Sequence, residues 1–121
     1  MENIGKRIKD YMKAGEQALS EKQYALAYHC FGSASGLLGR VNLKLLSKKY
    51  MFMAGDAASQ IGGTYYPQEA AFAYGRAGEK SKLEAYLKKL GYCEEEIIPS
   101  SWMAHARFLA EESSGGYEYG R

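Results

Sequence analysis

The residues best equipped for chemistry lie in QYALAYHCFGSA, residues 23–34, where His29 stands next to Cys30. A nucleophilic cysteine needs a base that lowers its pKa and accepts its proton. On a helix, adjacent side chains point about 100° apart and do not face each other. His29 therefore cannot activate Cys30 unaided, and the other histidine is His105. His105 and Arg107, two residues apart, also fall on different helix faces. The simplest reading is a packed thiol beside an edge histidine.

Arg40 and Arg76 are far from His105 in sequence, which counts against a helical-bundle hydrolase or nuclease. Cys30 and Cys93 form no C-x-x-C, and no Cys/His set has zinc-ligand spacing. In a reducing compartment both read as free thiols, while a Cys30–Cys93 disulfide stays open because hyperthermophile cytosols permit one. Glu94-Glu95-Glu96 reads as a solvated acidic turn. Gly36–Gly39 and Gly75–Gly78 lack the preceding strand and following G-K-[ST] of a phosphate loop. No catalytic, cofactor-binding or metal-ligating residue is assigned.

The lysines at 44, 48, 49, 80, 82, 88 and 89 form loose basic clusters. They keep a nucleic-acid-associated protein open as an alternative, although solvated helix faces are the commoner meaning. The chain has 121 residues, 46% hydrophobic and 25% charged, with net charge +2. That suits one globular domain with a single core, and the slight basic balance names no partner. No apolar run approaches the roughly 20 residues of a membrane helix, and MENIGKRIKDYMK has no signal-peptide core, so the expectation is a cytoplasmic protein. Few Asn, Gln and Thr beside many Glu, Lys and Tyr lean towards a thermophile.

The elements that must position these residues are helical, since no sustained polar/apolar alternation marks a strand. Ile4, Ile8, Tyr11, Gly15 and Leu19 share one face of a first helix ending near Leu19. Ser20 to Gln23 reads as a capping box for a second helix, over 21–38, with Gly39 as its stop. Asn42 reads as the N-cap of a third helix, over 43–61, closed by Gly62-Gly63. Pro67 opens a fourth, and Ser81 to Glu84 is a second capping box, for a fifth helix over 82–90. A last helix is expected over 99–112, followed by a flexible tail over 113–121.

Two segments share a layout. Ala14-Gly15-Glu16 matches Ala54-Gly55-Asp56, and Ala27, Phe31 and Ala34 match Ala70, Tyr74 and Ala77. The second copy is three residues longer, with the excess in the turn at 62–66, where insertion is tolerated. A small residue at Gly15 admits the following helix closely, and Phe31 fills the space between.

This layout resembles the tetratricopeptide repeat, a helix–turn–helix unit of about 34 residues. Tyr11 and Gly15, then Met51 and Gly55, occupy its first-helix positions. Gly39 stands where a unit-ending proline is usual, and Ala104 with Phe108 hint at a third unit. The expectation is an all-α, short antiparallel α-helical array of five or six helices, stacked as a superhelix in one domain over 1–112. Its units fall at about 8–39 and 48–78, with capping helices at 82–90 and 99–112.

The resemblance implies protein–protein interaction without catalysis, as an adaptor or scaffold. First-helix side chains would line a concave groove for a partner's peptide. Carried over, these are Lys9, Met12, Glu16 and Leu19, then Lys49, Phe52, Asp56 and Ser59. Met12 and Phe52 would act as apolar anchors, with Lys9 and Lys49 facing an acidic peptide. Self-association is also open, because a two-unit stack leaves apolar end faces.

Overall fold

A computed structural model describes residues 3–92 and 101–119, with side chains as far as Ser113. Cys93, the Glu94–Glu96 turn and Pro99 lie outside the described residues. The fold is all-α, with six helices: α1 Ile4–Ser20, α2 Tyr24–Arg40, α3 Lys44–Ala58, α4 Tyr65–Arg76, α5 Lys80–Lys89 and α6 Trp102–Tyr119. The last helix passes the expected end at Glu112 and continues through most of the segment read as a tail.

The turns between helices differ in chemistry from the caps expected. Lys22, Asn42, Gly78 and Gly91 all have positive φ, at 60°, 66°, 74° and 96°. After each, an N–H returns to a carbonyl five residues back: Gln23 to Ala18 at 2.8 Å, Leu43 to Leu38 at 2.9 Å, Glu79 to Tyr74 and Tyr92 to Leu87 at 3.0 Å. This left-handed closure satisfies carbonyls that a helix end leaves unpaired. The first three turns are so short that the same residue (Gln23, Leu43 or Glu79) is also the N-cap of the next helix.

The two capping boxes are therefore not formed. Ser20 ends α1 and donates its hydroxyl to the Gln17 carbonyl at 2.7 Å, while Ser81 lies inside α5. Asn42 takes the left-handed turn two residues past the end of α2 instead of capping α3, and Gly39 sits within α2. Asn3 does cap α1, accepting the Lys6 N–H at 3.2 Å.

Packing begins at two glycines. A Cβ on Gly15 would lie 2.6 Å from the Phe31 ring, so α1 meets α2 there at the closest distance the ring allows. A Cβ on Gly55 would lie 3.0 Å from Tyr74, the equivalent contact of α3 with α4. Phe31 is fully buried, worth about 2–3 kcal/mol of hydrophobic stabilisation. Between these hairpins, α2 and α3 run antiparallel, with Phe31 against Tyr50 and Ser35 against Ser47. The serines exchange bonds reciprocally: Ser35 donates to the Ser47 carbonyl at 2.7 Å and Ser47 to the Ser35 carbonyl at 2.8 Å.

The core has two clusters. One joins Ile8, Ala27, Phe31, Ala34, Leu38 and Tyr50 across α1–α3; the other joins Ala70, Tyr74, Leu83, Leu87, Met103 and Ala106 across α4–α6. Tyr28 touches both and donates its hydroxyl to Glu69 at 2.5 Å.

The hinted third unit does not pack as a repeat. Phe108 is 58% exposed, and α6 turns Met103, Ala106 and Ala110 inward instead. It crosses α4 at Gly75, where an added Cβ would meet the Ala106 carbonyl oxygen at 2.5 Å. Arg107 grips Glu84 with two hydrogen bonds, of 2.5 and 2.6 Å, and Lys80 pairs with Glu111. At the other end, α1 presents exposed Lys6, Arg7, Asp10, Lys13 and Gln17, a polar outer face.

Candidate ligand-binding face

The site is built outward from Asp56. Gly55 lets the Tyr74 ring approach α3, so the Tyr74 hydroxyl reaches Asp56 Oδ1 at 2.6 Å. Burial first, and then this bond, hold the Tyr74 phenol protonated well above its usual range. In the first hairpin the residue equivalent to Tyr74 is Phe31, packed at Gly15, and its ring has no hydroxyl to donate to Glu16. The Glu16 charge acts instead on Tyr50, whose phenol is pushed up by burial first and Glu16 second.

From α5, Lys82 extends its ammonium to 3.8 Å from Asp56 Oδ1. The same Nζ lies 5.9 Å from the Phe52 ring centre and 6.0 Å from that of Tyr74. Phe52 and Tyr74 are themselves in contact, with centroids 5.7 Å apart. Tyr86 meets Tyr74 edge-to-face, also at 5.7 Å. Its hydroxyl is, among the described residues, the buried side-chain polar atom left without a hydrogen-bond partner. Burial pushes this phenol up.

Asp56, Tyr74, Lys82 and Tyr86 border a depression of about 600 Å³. Leu19 and Tyr24 close it on the side of the first hairpin; α3 and the residues after it supply Met53, Asp56, Ala57 and Ser59. Lys82, Tyr86 and Lys89 form the α5 wall. The odd-numbered helices α1, α3 and α5 thus share one concavity, with an apolar end at Leu19 and a charged end at α5.

Of the eight residues expected in a groove, Leu19, Asp56 and Ser59 are brought together here. Met12 is half-buried against the first core cluster, and Phe52 is half-buried against the second, beneath Lys82. Lys9, Glu16 and Lys49 are exposed, with the Lys49 ammonium 5.9 Å from the Tyr50 ring. Sequence reasoning missed Tyr24, Tyr74, Lys82, Tyr86 and Lys89 as lining residues. Lys82, Tyr86 and Lys89 recur at i, i+4 and i+7, a one-face signal open to reading once α5 is counted with α1 and α3.

His29 is exposed and touches Tyr28 and Tyr66, whereas Cys30 is a buried free thiol. Burial pushes the Cys30 thiol up, the opposite of activation. His105 packs against Phe72, away from both. No group of three metal-ligating side chains assembles among the described residues. Among the lysine clusters, Lys48 donates to the Ser113 carbonyl at 3.1 Å, while Lys80 and Lys82 face Glu111 and Asp56. No described helix is long and apolar enough to cross a membrane. No protein-family model, curated protein or solved structure matches this chain.

Proposed function

We propose that the protein is a cytoplasmic adaptor or scaffold that holds a peptide segment of another protein in the concavity of α1, α3 and α5, without catalysis. The carrying observation is the depression of about 600 Å³, which gathers Leu19, Asp56 and Ser59 beside the α5 wall. The paired contacts Gly15–Phe31 and Gly55–Tyr74 support a tetratricopeptide-like stacking of the two hairpins. In such stacks an extended peptide lies across successive first helices, and pockets between them select side chains.

The test is affinity capture from the native host, with wild type and the Leu19→Glu/Ser59→Arg variant as parallel baits. A protein retained by wild type and lost from the variant, with matching thermal melts, is the expected result. Retention of the same proteins by both baits, or of none by either, would overturn the reading.

A further inference from the structure

The walls of the depression also define what enters it, on the premise that the concavity binds peptides. Tyr86 is 6% exposed and lines the depression, yet its hydroxyl has no partner among the described residues. That hydroxyl is closed to solvent, so the Tyr86 ring is what borders the depression. The fixed charges favour an anionic ligand. The lining carries two lysines, Lys82 and Lys89, against one carboxylate, Asp56, which already accepts the Tyr74 hydroxyl and has Lys82 beside it. Lys82 is held loosely, with its side chain 47% exposed, so its ammonium can turn to a second acceptor. From the first hairpin, Leu19 is 41% exposed and shares the lining with Tyr24 and Met53, which gives the depression apolar surface as well.

We propose that the depression takes a partner segment carrying an apolar side chain close to a carboxylate. The apolar group covers Leu19 and Met53. The carboxylate sits at the α5 wall, where it pairs with Lys82 and Lys89. A basic partner segment is disfavoured, since it would bring a third cation against two lysines.

A random dodecapeptide phage library panned over the immobilised full chain tests this, followed by anisotropy titration of the winning peptide with a fluorescein label. Enriched sequences should carry Leu, Ile or Phe within three residues of Asp or Glu. Binding should weaken as salt rises. Lys89→Glu, at an exposed position, should raise Kd about tenfold, as expected for a lost charge-assisted bond. Winning peptides without an acidic residue, or acidic ones indifferent to Lys89→Glu, would overturn the ligand assignment. If those peptides were still lost with Leu19→Glu/Ser59→Arg, peptide binding at this face would stand. Peptides unaffected by that double variant, or a library with no winner, would overturn both.

Discussion

A Cβ placed on Gly15 would lie 2.6 Å from the Phe31 ring, and Phe31 is fully buried and cannot retreat. The first hairpin is thus set by one missing side chain. Gly15→Ala gains helix propensity of about 1 kcal/mol but forces the α1–α2 contact open at a typical overpacking cost of ~1–3 kcal/mol. The net outcome is destabilisation, larger for Gly15→Leu. Gly36 lies in α2 with nothing within 4 Å of an added Cβ. There Gly36→Ala should stabilise by about 0.5–1 kcal/mol. Urea titration of the two alanine variants should move the midpoint in opposite directions.

The turns give a second prediction. Lys22 holds φ at 60°, a region that costs an L-residue with a Cβ about 1–2 kcal/mol. Lys22→Gly should relieve most of this and raise the melting temperature. Asn42, at φ 66°, tolerates the region better, so Asn42→Gly should change stability by only a few tenths of a kcal/mol. Equal shifts for the two variants in thermal denaturation would contradict this account of the turns.

The contrast between caps and turns shows what was legible in the sequence. The glycine–aromatic pairs could be read because both partners repeat, and close approach needs a residue without a side chain. The cap positions misled because Ser20, Asn42 and Ser81 have side chains suited to capping, whereas the backbone closes through the N–H of the residue just before the next helix. Ladder bonds such as Gln23 to Ala18 depend on chain path, which local side-chain type does not report. The site was half legible for a similar reason. Leu19, Asp56 and Ser59 follow from repeat positions, while the α5 wall depends on α5 standing beside α3, a long-range placement made through the Tyr74–Tyr86 contact.

A pH dependence follows from the clamp between α5 and α6. The Arg107 guanidinium beside Glu84 holds its carboxyl below the usual range, against a smaller upward push from burial. A depressed carboxyl pKa contributes stability that is fully present above the unfolded value, about 4.3, and is lost as pH falls through the lower folded value. Because the Glu84 side chain is 49% exposed, its contribution is at most about 1 kcal/mol. Glu84→Gln should therefore lower the melting temperature slightly at neutral pH. The two melting curves should converge in acid, and a gap unchanged at low pH would show that the carboxylate charge is not what holds α6.

Tyr74 and Tyr86 lie edge-to-face, yet their hydroxyls have opposite standing in the stability of the fold. The Tyr74 hydroxyl donates to Asp56 at 2.6 Å, so Tyr74→Phe removes a charge-assisted bond and should cost about 1–2 kcal/mol. The Tyr86 hydroxyl is buried without a partner among the described residues. Removing it discards a desolvation penalty of about 1–3 kcal/mol while the ring keeps its packing, so Tyr86→Phe should be neutral or stabilising by up to that amount. Chemical denaturation of the two variants without any peptide gives the comparison. If Tyr86→Phe were as destabilising as Tyr74→Phe, the hydroxyl would have a partner within the folded chain.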